Sequence, residues 1–145
     1  IDYGYVGDIE DVNILAIRMI LKLGVVPIFC AITHDNNGQL LNTNADTIAT
    51  LIATRMTEKY DHVRLIYFMD KAGVMMDPSD ESTLMNSLDF LTYKQLKMDS
   101  IITLGMIPKL DNAFYALING VEEVWVTGLP YVSDPENIQG TRIYE

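Results

Sequence analysis

Val63-Arg64-Leu65-Ile66-Tyr67-Phe68-Met69-Asp70-Lys71-Ala72-Gly73 is a short apolar run closed by a charged, glycine-containing turn. A run of this length, rich in β-branched and aromatic residues, suits a buried strand, and buried strands of that kind belong to parallel sheets covered by helices. The flanking chain agrees. Asn42-Thr43-Asn44 offers successive N-cap residues for a helix from about Ala45 to Lys59, with Ile48, Leu51, Ile52 and Met56 along one side. Upstream, Asp11 to Leu23 carries an apolar stripe of Ile14, Leu15, Ile17, Ile20 and Leu21 and stops at Gly24. Val25 to Ile32 then reads as a strand buried on both faces, and Asp35-Asn36-Asn37-Gly38 as a tight turn, because Asn-Gly accepts positive φ.

Downstream, Asp77 to Ser82 reads as a solvated loop and Leu91 to Met98 as a short helix. Leu110 to Ile118 is a stronger helix, entered through Pro108 and closed by Asn119-Gly120. Val121 to Val126 is a third apolar strand, and Arg142 to Tyr144 a terminal edge strand. Strands alternating with helices predict an α/β fold, a mainly parallel sheet sandwiched between helices, with residues 1–145 forming one domain.

Charge narrows the function. Ten Lys and Arg against twenty Asp and Glu give a net charge of −10 and a pI near 4.4. Such a surface repels nucleic acid and anionic membranes, and no two basic residues are adjacent. Arg18, Lys22, Gly24 and Pro27 interrupt the longest apolar stretches, so neither is the ~20-residue span that crosses a bilayer, and a cytoplasmic location is expected. The single cysteine, Cys30, allows no intramolecular disulfide and reads as a small buried hydrophobe. His34 and His62 lack Cys or Glu at metal-ligand spacing and read as loop or strand-end residues. The chain opens on Ile1 without Met, which is expected of a sequence starting inside a longer gene product.

Open α/β sheets bind ligands beyond the carboxyl ends of their strands. Three segments there carry candidate chemistry. In Asn42-Thr43-Asn44-Ala45-Asp46 a carboxylate falls in the first turn of a helix, where the dipole favours it, and an amide four residues earlier could lie on the same side. In Gly105-Met106-Ile107-Pro108-Lys109-Leu110 a lysine sits at a helix start, a place that disfavours a cation by a few tenths to ~1 kcal/mol unless an anion is near. Helix N-termini are themselves anion sites. Asp70 leaves a buried strand at a turn that Gly73 permits, positioned for its own turn or for a nucleotide's ribose. Neither a Rossmann glycine fingerprint nor a Walker lysine loop occurs.

Taken together these segments resemble the carboxyl-terminal half of the amino acid kinase family, in its branch that acts on N-acylated glutamate. Tyr5-Val6-Gly7-Asp8-Ile9 is similar to that branch's Val-Gly-Glu-Ile segment, and Gly24 to Ile32 to its Gly-x-x-Pro strand. Asn42 to Thr47 is similar to its Asn-Val-Asn-Ala-Asp motif, Asp70 to Val74 to its Asp-Val-x-Gly-Val nucleotide loop, and Gly105 to Lys109 to Gly-Met-x-x-Lys. Lys71 replaces the loop's usual Val, and Leu104 a second glycine. The resemblance implies transfer of the γ-phosphoryl group of ATP to a side-chain carboxylate, a step of arginine biosynthesis. By motif, Lys109 stabilises the transferring group, Asp46 orients the lysines and Asn42 holds the acylglutamate. Asp70, Lys71, Ala72, Gly73, Val74, Met75, Ile101, Ile102, Thr103, Gly105, Met106 and Lys109 line the ATP site. Magnesium (Mg2+) is implied to ride on the ATP phosphates. The family's Gly-rich loops and second lysine belong to its other half, so the isolated 145 residues are expected to fold without catalysing, and the full-length enzyme to be a homo-oligomer. Two alternatives stand beside this: another family member acting on aspartate, glutamate or carbamate, and a non-catalytic domain that senses a nucleotide or amino acid.

Overall fold

Arg64 to Met69 forms β3, at one edge of a four-stranded sheet with the order β3-β5-β6-β4. The structure is a computed structural model that describes residues 3–102, 105–132 and 137–145. Along these, α1 (Ile14–Lys22) precedes a hairpin of β1 (Ile32–His34) and β2 (Leu40–Asn42), followed by α2 (Ala45–Met56) and β3 (Arg64–Met69). Next come β4 (Ser87–Asp89), α3 (Phe90–Met98), α4 (Met106–Ile118), β5 (Glu123–Gly128) and β6 (Thr141–Tyr144). Strands β3 and β5 pair in parallel, from Arg64 opposite Glu123 to Met69 opposite Gly128. β4 and β6 are also parallel, whereas β5 and β6 are antiparallel. The fold is α/β, a mainly parallel sheet flanked by helices, as predicted.

Leu65 and Tyr67 of β3, Val124 and Val126 of β5, Leu88 of β4 and Ile143 of β6 are buried in one core. Alternate residues on the same strands, Arg64, Phe68, Arg142 and Tyr144, are exposed, the period-2 consequence of the pleat. Leu110, Ala113, Phe114 and Ala116 of α4 lie in that core, and the Phe114 ring stacks on Tyr93 of α3 with centroids 5.1 Å apart. Helix α2 is started by Asn44, whose side chain accepts from the Thr47 N–H at 3.0 Å. Helix α3 is started by Asp89, which accepts from Leu91 and Thr92.

Four sequence expectations change. Helix α4 starts at Met106, ahead of the predicted Leu110, because Pro108 falls within the first turn, where no N–H is needed. The terminal strand β6 lies inside the sheet, between β5 and β4. Its outer neighbour β4 is only three residues long and carries too short a pattern to be read. Of Val25 to Ile32 only Ile32 enters a strand, the β1–β2 hairpin, where it faces Asn42. Val26 is 81% and Ile28 94% exposed. Apolar composition predicts burial, but a strand also needs neighbours, and none pairs with 25–31 as a ladder among the described residues. Cys30 is accordingly exposed, not buried. The expected turn is present, with Asn36 at φ 65° and Gly38 at φ 98°.

At the amino ends of β3 and β5, His62 Nδ1 lies 2.7 Å from Glu122 Oε2, and Arg64 Nε 2.6 Å from Glu123 Oε2. The hydrogen bond to Glu122, and then its charge, raise the His62 pKa above the ordinary 6.5. A raised value means that the pair stabilises the folded state fully below pH 6.5 and stops doing so as pH rises through the folded pKa. Melting temperatures taken between about pH 5 and 9 should therefore show a fall that His62→Ala removes. An identical profile in that variant would discard the pair as its source.

Candidate functional site

Helix α2 runs into β3 and α4 into β5. Because β3 and β5 are parallel, both helix N-termini arrive at the carboxyl end of the sheet, where positive dipole ends and free N–H groups gather. Asp46 is the second residue of α2 and Lys109 the fourth of α4. Their side chains meet, with Lys109 Nζ donating to Asp46 Oδ1 at 2.7 Å, and are only 15% and 28% exposed. The lysine that opposes its own helix dipole thus has its anion, supplied by another helix. A half-buried ion pair at two converging helix N-termini can present a fixed cation to an approaching anion.

Tyr67 lies beneath this pair, in a place that the sequence did not mark. Its ring centroid is 5.0 Å from Lys109 Nζ, and its hydroxyl bonds Thr50 Oγ1 at 2.5 Å. Burial, as the main cause, pushes the phenol pKa up to about 12, so the ring is neutral at every working pH. Thr50, one helical turn after Asp46, had a readable spacing. Tyr67 did not, being one apolar residue in an apolar run.

Asn42 ends β2 with its backbone committed on both sides: its N–H donates to Tyr5 O at 2.8 Å and its carbonyl accepts from Gly7 N at 3.0 Å. Its exposed side chain makes no hydrogen bond among the described residues, and none links it to Asp46 or Lys109.

At the same end of the sheet, where β3 ends at Met69 and α4 begins at Met106, a cavity of about 150 Å³ is lined by Met69, Lys71, Gly73, Val74, Met75, Pro78, Ile101, Ile102 and Met106, and neither Lys109 nor Asp46 lines it. Seven of those positions belong to the expected nucleotide segments; Met69 and Pro78 had not been singled out. Asp70 is exposed, and Ala72 is buried away from the cavity wall. Gly105 is exposed and does not line it. Thr103 lies outside the described residues. The loop is seated on β6: Val74 N–H donates to Thr141 Oγ1 at 2.8 Å, and that hydroxyl donates to Met85 O at 2.6 Å. A Cβ on Gly73 would come 2.6 Å from Thr141 Oγ1, so the close approach requires glycine. Among the described residues nothing lies within 4 Å of a Cβ built on Gly105, whose φ of −70° suits any residue.

A model of the amino acid kinase family matches residues 1–128. The chain belongs to the amino acid kinase family. Similar relatives of known name are the acetylglutamate kinase of Azobacteroides pseudotrichonymphae, 47% identical over 88% of this chain and 49% of its own length, and that of Bacteroides thetaiotaomicron, 41% identical over 99% and 54%. The chain spans about half the length of the relatives it matches. Among solved structures, smu.665 of Streptococcus mutans superposes with a TM-score of 0.80 at 27% identity, covering 98% of this chain and 52% of that one. A Giardia carbamate kinase shares the fold, with a TM-score of 0.68 at 17% identity over 94% of this chain and 49% of that one. The matched residues take in α1 to α4 and β1 to β5, and β6 (Thr141–Tyr144) follows them. Asp46 and Lys109 lie within the matched residues, as does the cavity.

Proposed function

We propose that this chain is the ATP-binding half of an acylglutamate kinase, which transfers the γ-phosphoryl group of ATP to the side-chain carboxylate of an N-acylated glutamate. The observation that carries the reading is the Lys109–Asp46 pair between two helix N-termini, at the same end of the sheet as an apolar cavity walled by the 73–75 loop. The cavity offers a planar base apolar walls, and Lys71 on its rim offers a cation. The relatives' shared name supplies the acceptor.

The acceptor sets what the site has to supply. A glutamate side chain, with a pKa near ~4.3, is already ionised at neutral pH, so its oxygen attacks phosphorus without losing a proton to a general base. What remains is alignment of two anions in line and neutralisation of the charge that builds on the transferring oxygens. Lys109 supplies that charge. Asp46 aims it, and the unengaged amide of Asn42 is available to the acylglutamate. Nucleotide-borne magnesium would take its ligands from the phosphate oxygens and offset their charge there.

The test is trapping of the acyl phosphate by hydroxylamine. With the complete gene product and ATP, N-acetylglutamate should give hydroxamate, and N-succinylglutamate in a parallel assay reads the acyl preference. Free aspartate, free glutamate and carbamate should give far less. ATP binding without hydroxamate from any carboxylate would replace the kinase reading with the sensing one.

A further inference from the structure

We propose that Tyr67 is a positioning residue for the reaction: a neutral aromatic seat for the Lys109 ammonium, fastened through Thr50 to the turn of α2 that carries Asp46. The inference rests on the kinase reading above and adds to it a residue from the sheet itself.

The geometry forms a closed circuit. Lys109 Nζ donates to Asp46 Oδ1 at 2.7 Å and stands 5.0 Å from the centre of the Tyr67 ring. Thr50 Oγ1 lies 2.6 Å from the Asp46 carbonyl, which can only accept, so the single hydroxyl proton of Thr50 goes there. Tyr67 must then donate to Thr50 Oγ1, 2.5 Å away. The burial that keeps the phenol protonated keeps it a donor. One side chain of β3 therefore fixes both ends of the ion pair: the ring holds the cation, and the hydroxyl holds the backbone from which the carboxylate projects.

Electrostatics says why an aromatic suits this place. A cation with only 15% of its side chain exposed needs partners, yet each added carboxylate would repel the incoming phosphoryl group. The face of an aromatic ring attracts an ammonium through its quadrupole while carrying no net charge. Tyr67 can thus steady Lys109 after the ammonium has turned from Asp46 toward phosphate, without opposing that turn. At 3% exposure Tyr67 is otherwise an ordinary core residue, so the experiment has to separate holding Lys109 from filling space.

Tyr67→Leu and Tyr67→Phe are compared with Lys109→Ala in the complete gene product, by hydroxamate formation and by chemical labelling of Lys109 with acetic anhydride, read by mass spectrometry against the other lysines. Tyr67→Leu should lower kcat ~10-fold with KM for ATP unchanged and should raise the relative labelling of Lys109, whereas Tyr67→Phe, which keeps the ring and loses only the bond to Thr50, should fall between the two, about threefold below the parent. Tyr67→Met, unbranched, serves the same comparison if Tyr67→Leu does not accumulate folded. Unchanged kcat in Tyr67→Leu, or a joint loss of kcat, ATP affinity and melting temperature with Lys109 labelling unmoved, overturns the proposal. So does a Tyr67→Phe protein as impaired as Tyr67→Leu. If Tyr67→Leu is unimpaired while Lys109→Ala loses activity, only the role of Tyr67 falls; if the parent itself forms no hydroxamate, the kinase reading falls first and this one with it.

Discussion

Replacing Lys109 by alanine should lower ATP-dependent hydroxamate formation from N-acetylglutamate by on the order of 10²–10³-fold, because a preorganised cation aimed at developing charge contributes that much in a water-poor site. The loss should fall on kcat. In the ground state Lys109 is already occupied by Asp46 at 2.7 Å, so its interaction with the nucleotide grows as charge accumulates on the transferring oxygens, and KM for ATP should move by a few-fold at most. The fold should tolerate the change. Asp46, left without its lysine, remains 28% exposed and in the first turn of α2, where the helix dipole favours a carboxylate. A melting temperature near that of the parent, together with the kinetic loss, separates a missing charge from a damaged structure. Lys109→Arg should restore only part of the rate, since a planar guanidinium cannot reproduce a point charge between a carboxylate and a ring face. Near-parental turnover in Lys109→Ala would remove the role proposed for this residue.

What made Lys109 visible in the sequence was a conflict: a cation at a helix N-terminus that only an anion nearby would relieve. The anion is 63 residues away along the chain, and its own position looked like simple capping. Each half of the pair was readable, and the family resemblance implied that Asp46 orients the lysines, but residue pattern alone did not join them, because their contact depends on β3 and β5 lying parallel and side by side. The elements that position the site were legible for a related reason. Strand β3 and helix α4 have a hydrophobic period and helix α2 a punctuating cap at Asn44, which are local properties, although the face that α2 buries carries Thr50, Ala53 and Thr54 and not the expected stripe of Ile48, Leu51, Ile52 and Met56. Val25 to Ala31 has the composition of a strand without, among the described residues, the partner that makes one, and β4, three residues long, is a strand only because β6 lies beside it. Tyr67 was hidden by uniformity: in a run of apolar residues, nothing distinguishes the one whose ring meets an ammonium.

The second large effect is expected at Gly73, where stability and nucleotide binding should be lost together. A Cβ built there lies 2.6 Å from Thr141 Oγ1, 2.9 Å from Leu84 Cδ1 and 3.0 Å from Thr141 N. The leucine methyl can yield. The threonine cannot, because its hydroxyl accepts from Val74 N–H at 2.8 Å and donates to Met85 O at 2.6 Å, and its residue is wholly buried in β6. Gly73→Val must therefore lift the loop from the sheet. Overpacking costs about 1–3 kcal/mol, and each buried group stranded when the Thr141 bonds break costs about 1–3 kcal/mol more. Denaturant unfolding should accordingly show a loss of at least ~2 kcal/mol. Because Val74 and Met75 line the cavity, ATP affinity measured by calorimetry should fall in the same protein. Gly105→Ala is the internal control: no described residue lies within 4 Å of its Cβ and its φ is ordinary, so stability should stay within about 0.5 kcal/mol of the parent. A Gly73→Val protein as stable as Gly105→Ala would mean that the loop is not seated on β6 as described. A destabilised one that still binds ATP fully would detach the cavity from the nucleotide.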